Sequence, residues 1–313
     1  MKYTLAYPIG NAGADTAFAE PAVVASVALA AEKAGFDALA MTDHPAPSRK
    51  WLDNGGHPGF DPFAALSFCA GVTNRIRLMT YLLVVPYRNP LLAARSVATL
   101  DRLSGGRLDL VVGTGYLRSE FAALGVDYER RAELLDEGID VLRNAFGVDS
   151  FRFDGIGFVA PGNAITPGPI QMPHPPIWIG GNGARARARA ARVGDGWSPI
   201  QADEQVIRTT GGAPLDSLPR LRAAIADLHE RLADTRRERE AVTVQLQSKS
   251  IGVLGERSPD EVREAVGELG EIGVNQLVVR APCERAEETI NAIELFGADI
   301  ITSASASIND GRR

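Results

Sequence analysis

Apolar runs of strand length alternate with helix-length amphipathic segments from one end of this sequence to the other, and that rhythm leaves few folds open. Strand-like runs cover residues 3–9, 38–42, 76–85, 108–113, 176–180, 196–200, 242–248 and 274–279. Helical patterns follow them over 21–34, 62–72, 90–103, 117–146, 184–193, 218–235, 259–269 and 285–296. In the first of these, Val24, Val27, Ala28 and Ala31 recur at i, i+3, i+4 and i+7, the stripe of a helix that buries one face. Pro21, Pro62 and Pro90 sit in first turns, where a missing N–H costs nothing, and Asp61 is placed to cap the helix that Pro62 begins. Eight strand–helix units in series predict an α/β protein, a (β/α)8 TIM barrel. A doubly wound open sheet shares the alternation. The count favours closure, and no Gly-x-Gly-x-x-Gly turn follows the first strand.

Two connections exceed plain loop length, 45–60 and 147–175. The second reads as an inserted hairpin with a Pro-rich return, between the fourth helix and the fifth strand, facing the pocket. All of it is expected to belong to a single domain spanning 1–313, with a mobile loop at 209–217 and a flexible tail at 302–313. An apolar share of 45% with 23% charged residues is enough for a sizeable core. A net charge of −6 argues against nucleic-acid binding through a general positive field and suits small-molecule substrates. Cys69 and Cys283 have no metal-site spacing and are too few for a disulfide framework, which fits a cytoplasmic setting. "MKYTLAYPIG" lacks a signal-peptide pattern, and the longest apolar run is too short to span a bilayer.

In a barrel, chemistry sits at the carboxyl ends of the strands. Those ends offer Asp43 and His44, Thr80 and Tyr81, Gly113, Thr114 and Gly115, Gly180, Gly181 and Asn182, Trp197 and Ser198, and Gln247 and Ser248. They form neither a Ser–His–Asp motif nor a metal-ligand cluster. One imidazole, several glycines and small hydroxyls suggest a pocket for a large flat ligand with a single proton-transfer group. His44 is the candidate, since imidazole titrates near neutral pH. Neighbouring strand residues point to opposite faces, so Asp43 is not assumed to pair with it. The plainer reading keeps Asp43 as a turn cap and His44 as a packed loop residue. His57, His174 and His229 are expected to be structural or exposed.

In "PPIWIGGNGARARARAARVGDGW" a strand runs through Gly180, Gly181, Asn182 and Gly183 into a helix, whose free N–H groups make an anion site, most simply for phosphate. Arg185, Arg189 and Arg192 share one face of that helix, which also reads as an ordinary solvated face; Ala184, Ala188 and Ala191 are expected against the barrel. Gly113 and Gly115 flank Thr114 and leave no Cβ in the way of a ring or phosphate, or simply mark a tight turn.

Together "AMTDHPAPS", "VATLDRLSGGR" and "PHPPIWIGGN", within a near-continuous stretch over residues 36–200, resemble the luciferase-like monooxygenase superfamily, in particular its branch of oxidoreductases using the deazaflavin coenzyme F420. The resemblance implies a (β/α)8 barrel with an insertion between helix 4 and strand 5, commonly a homodimer, with an isoalloxazine-like ring across the barrel mouth. It implies that Asp43 and His44 lie beside the ring and that Thr80 adjoins the backbone bulge under it. Gly113, Thr114 and Gly115 contact the ring and side chain, Gly180, Gly181 and Asn182 form the phosphate turn, and Ser119 with Glu120 contacts the polyol. Gly183 stands where the family commonly has serine, so a hydroxyl contact to phosphate is missing there. The implied activity is hydride transfer between the deazaflavin and a small organic substrate, with His44 giving or taking the proton. The rivals are an FMN-dependent monooxygenase fed by a separate flavin reductase, and a non-catalytic cofactor-binding barrel.

Overall fold

The computed structural model describes residues 1–201, 207, 208 and 210–302. Thr209 and all of the expected tail except Thr302 lie outside the described residues. In chain order the chain runs through β1 (Lys2–Ala6), α1 (Pro21–Ala34), β2 (Ala38–Met41), α2 (Arg49–Leu52), α3 (Pro62–Val72), β3 (Arg77–Val84), α4 (Pro90–Leu103) and β4 (Leu108–Gly113). It continues with α5 (Arg118–Ala123), α6 (Arg131–Asn144), β5 (Phe151–Gly155), β6 (Phe158–Asn163), β7 (Ile177–Gly180), α7 (Ala184–Val193) and β8 (Gly196–Ser198). The last elements are α8 (Leu218–Asp234), β9 (Thr243–Gln247), α9 (Pro259–Glu271), β10 (Gln276–Arg280) and α10 (Ala286–Phe296).

The strands close in the order β1-β10-β9-β8-β7-β4-β3-β2, every pair parallel, so the expected TIM barrel is the fold. Alternation along each strand sorts the core into two layers. Leu39, Leu78, Leu110, Val112, Ile177 and Ile179 pack outward against the helices, while Ala38, Ala40, Met79, Val111 and Trp178 fill the barrel. Full burial of one such Leu or Ile contributes roughly 1.5–3 kcal/mol. The interior also carries a polar ladder. Ser198 Oγ donates to Gln245 Oε1 (2.8 Å), while the Gln245 and Gln276 amides donate to Thr4 Oγ1 (3.2 and 2.5 Å). That satisfies groups that would be costly to bury alone.

Three expectations need correction. The helix expected over 117–146 is two helices, α5 and α6. Gly125 adopts φ +69, a left-handed conformation that a helix cannot continue through, and the Asp127 side chain then caps a new turn by accepting from Glu129 N (2.9 Å). The face of α7 against the barrel is Ala186, Ala190 and Ala191; Ala184 is exposed and Ala188 half-buried. Arginine pairing sets this rotation. Arg187 donates to Asn182 O (2.8 Å) and pairs with Asp227 of α8, whereas Arg189 and Arg192 both reach Asp136 of α6 (2.8 Å each).

The insertion, finally, does not face the pocket. Its hairpin β5–β6 packs Phe151 and Ala160 on Val141 and Ala145. Its return is strapped to α4: the buried Asp101 carboxylate accepts from Ile170 N (2.7 Å) and Gln171 N (2.9 Å), and Arg95 donates to the carbonyls of Thr166 and Pro167.

Candidate active site

The chain leaves β2 at Met41, and Asp43 and His44 turn over the barrel rim. Asp43 is 1% exposed and its carboxylate is fully engaged. Arg88, just before α4, donates from both terminal nitrogens, to Oδ2 at 2.6 Å and Oδ1 at 2.7 Å, and Val84 N donates to Oδ2 at 2.9 Å. The pair ties the end of β2 to the end of β3; it does not reach His44.

His44, 8% exposed, turns instead to Glu120 on α5, which is fully buried. Nδ1 lies 2.9 Å from Glu120 Oε2. The same oxygen accepts from Tyr87 Oη (3.1 Å), and Oε1 accepts from Ala46 N (3.0 Å). Since a carboxylate accepts, Nδ1 is the donor, which in the neutral ring puts the lone pair on Nε2. Tyr116 Oη lies 3.5 Å from that Nε2. Burial, with Glu120 adding to it, pushes the Tyr116 hydroxyl up to about 12, and burial and Glu120 push that of Tyr87 higher still, so both stay protonated donors. Rings wall the imidazole: Trp51 at 4.8 Å between centres, His57 at 5.0 Å and Tyr116 at 5.8 Å.

Beside this group lies a cavity of about 310 Å³, lined by Asp43, His44, Gly113, Thr114, Gly115, Gly180, Gly181 and Asn182 among the expected residues, and by His57, Tyr81, Leu82 and Tyr116. The parallel register of β3 with β4 shifts between Thr80 and Leu83, and the Tyr81–Leu82 peptide there is cis. Both Tyr81 and Leu82 line the cavity. A Cβ on Gly113 would come within 2.7 Å of the Leu82 side chain, and one on Gly180 within 2.5 Å. These two glycines therefore let Leu82 lie across the strand ends as an apolar floor. Asn182 has its own work. Its amide donates to the carbonyls of Ile200 (2.8 Å) and Ala213 (2.9 Å), and its Oδ1 accepts from Ile200 N (2.9 Å). That anchors the segment expected to be a mobile loop, in which Leu215 is also buried.

Three residues expected to contact the cofactor are not brought to the cavity lining: Thr80, Ser119 and Glu120, whose carboxylate turns to His44, Tyr87 and Ala46 instead. Thr80 is fully buried beneath it, donating to Val111 O at 2.9 Å, and Ser119 is exposed on α5. The partnership of Glu120 with His44, the Asp43–Arg88 pair and the place of His57 were not anticipated. One signal existed for Glu120: a carboxylate in the connection that leaves the carboxyl end of the fourth strand. A larger cleft of about 750 Å³, beside α9 and α10 and lined by Arg257, Arg280 and Cys283, holds no comparable proton-transfer pair.

The profile of the family described as luciferase-like monooxygenase matches residues 1–248. The chain belongs to the luciferase-like monooxygenase family. Its relatives include an uncharacterized Mycobacterium tuberculosis protein, Rv0940c, 31% identical over 223 residues, which are 67% of this chain and 72% of that one. Another is the FMNH(2)-dependent dimethylsulfone monooxygenase of Pseudomonas putida, 33% identical over 126 residues, 39% of this chain and 34% of that one. Among solved structures, monooxygenase RslO1 from Streptomyces bottropensis superposes with a TM-score of 0.79 over 97% of this chain and 100% of that one, at 18% identity. An F420-dependent secondary alcohol dehydrogenase does so with 0.72 over 96% and 98%, at 17% identity. At these identities the likeness is one of fold.

This barrel is thus shared with F420-dependent enzymes and with monooxygenases, one sequence relative being FMNH(2)-dependent by name, and the residues here suit a flat ring. The volume lies at the lower end of ligand sites, roughly 300–1,000 Å³. Leu82 supplies an apolar floor, and Gly181, at φ +111, bends the chain as a side chain would resist. Among the described residues no Lys or Arg lines the cavity, so an anionic tail would depend on backbone N–H groups at the start of α7.

Proposed function

We propose that the chain is an F420-dependent oxidoreductase that moves hydride between the deazaflavin and a small organic substrate, with His44 as proton donor or acceptor. One arrangement carries the reading: His44 bonded through Nδ1 to the buried Glu120, with Nε2 turned to Tyr116 of the cavity lining. Leu82, Gly113, Thr114 and Gly115 would hold the ring, and Gly180, Gly181 and Asn182 the phosphate end. Bound there, the deazaflavin supplies a carbon that takes or gives hydride and does not activate oxygen. One proton is left to the protein. As a carbinol becomes a carbonyl its hydroxyl proton passes to His44 Nε2, and in the reverse direction His44 returns it to the carbonyl oxygen. Glu120 compensates the imidazolium and keeps the ring in the tautomer that can receive the proton. Asp43 and Arg88 hold the rim to which His44 is attached.

A second reading is an FMN-dependent monooxygenase working with a separate reductase; the Pseudomonas putida relative, whose name gives FMNH(2) dependence, favours it. Titration of the apoprotein with F420 and with FMN separates the two. Emission is followed through Trp51, 4.8 Å from His44, with Trp51→Phe as the control. Saturable quenching by F420 and hydride transfer to it from an alcohol panel are expected. Saturable binding of FMN with no response to F420 would overturn the first reading in favour of the second.

A further inference from the structure

The connection from β2 to α3 carries a second imidazole that the reaction above leaves idle. His57 lines the same cavity as His44, with its ring edge-on to His44 at 5.0 Å and to Trp51 at 5.2 Å. Its Nδ1 lies 3.1 Å from the Pro58 carbonyl oxygen. A carbonyl only accepts, so Nδ1 carries the proton and Nε2 a bare lone pair. Among the described residues that lone pair has no hydrogen-bond partner. Among the described residues no buried side-chain nitrogen or oxygen lacks a hydrogen-bond partner, so His57 Nε2 is not sealed away, and the residue itself lines the cavity. Burial also holds the ring neutral, lowering its pKa to about 4, so the acceptor persists at neutral pH.

We infer that His57 is a substrate-binding residue whose Nε2 accepts a hydrogen bond from a second hydroxyl of the substrate, next to the carbon whose oxygen His44 serves. Two imidazoles with ring centres 5.0 Å apart, both lining one cavity, match two neighbouring hydroxyls better than one. The site therefore favours vicinal diols and their hydroxy-carbonyl products over simple alcohols. A mono-alcohol leaves the His57 acceptor desolvated and unpaired, which disfavours it on the order of ten- to a hundredfold. The pairing of hydroxyls with imidazoles rests on the role proposed for His44.

The test uses the full chain, labelled with 15N in its imidazoles and supplied with F420, titrated with cis-cyclohexane-1,2-diol and with cyclohexanol. The diol is expected to shift the His57 Nε2 resonance toward the hydrogen-bonded position, and cyclohexanol to leave it in place. Followed by Trp51 emission, His57→Phe, which keeps a ring but has no acceptor, should lower diol affinity more than cyclohexanol affinity, so that the preference disappears. A His57 Nε2 unmoved at the highest diol concentration, or equal binding of the two probes by the unaltered protein, overturns the assignment. Hydride transfer is scored separately. Its absence while the His57 shift persists would remove the proposed reaction and leave the binding role standing.

Discussion

His44 and Glu120 are 76 positions apart in the chain, yet Nδ1 of the first lies 2.9 Å from Oε2 of the second, in a place where the imidazole is 8% exposed and the carboxylate not at all. The carboxylate is itself pinned by Tyr87 and by the Ala46 amide, so the imidazole has one preferred orientation. An acceptor on Nδ1 is what leaves Nε2 basic.

Glu120→Gln tests that dependence. The new amide can turn its NH2 toward His44, driving the proton onto Nε2 and removing the base. Turnover should fall roughly 10²–10⁴-fold, as for His44→Ala, with cofactor affinity little changed. The double variant should lose no more than either single one, because the two residues act as a unit. Steady-state kinetics reads all three; unchanged turnover in Glu120→Gln removes the pair from the mechanism.

Asp43→Ala should act on stability first. It strips a half-buried guanidinium, 18% exposed, of its bidentate partner and leaves Val84 N unpaired. A loss of about 3 kcal/mol is expected in urea denaturation. Combining it with Arg88→Met should recover part of that loss. No recovery would mean that the pair matters for something other than its buried charge.

The depressed pKa of His57 gives stability a pH dependence of definite sign. Its folded value, about 4, lies below the ordinary 6.5, chiefly through burial. Between those values the unfolded chain binds more protons than the folded one. The contribution is complete above about 6.5 and is lost as pH falls toward 4, on the order of 2–3 kcal/mol at the lower end. Melting curves from pH 7 to pH 4.5 should therefore fall less steeply for His57→Phe than for the unaltered chain. Parallel curves would show that the ring is not held neutral by its surroundings.

Asn182→Ala removes three hydrogen bonds that tie the end of β7 to Ile200 and Ala213. Losing these part-buried hydrogen bonds should cost about 1 kcal/mol locally. Hydrogen exchange should then quicken at the Ile200 amide and across 210–217, and cofactor binding should weaken. Exchange unchanged at Ile200 would place the anchor elsewhere.

The barrel was legible because its signals are local. A strand declares itself by a short run of apolar residues, as at Ala38–Met41, and a helix by a stripe such as Val24, Val27, Ala28 and Ala31. The inserted hairpin showed in its length and its Pro-rich return. Where the local pattern was degenerate, the reading failed. In α7 alanine occupies every second position, which offers more than one face to the barrel, and only the arginines' partners on α6 and α8 select Ala186, Ala190 and Ala191. The break after α5 turned on Gly125, whose left-handed φ is one of several conformations open to a glycine.

From sequence alone, then, came the alternation that closes into a barrel and the arrival of Asp43 and His44 at a strand end. Tertiary structure alone decided their partners. Asp43 meets Arg88 and His44 meets Glu120 because loops from β2, β3 and β4 converge over the same rim, and His57 joins them because the chain after β2 folds back across it. Hydrophobic periodicity records which way a side chain faces along its own element. What lies opposite that side chain depends on the approach of segments distant in sequence, and no local pattern encodes it.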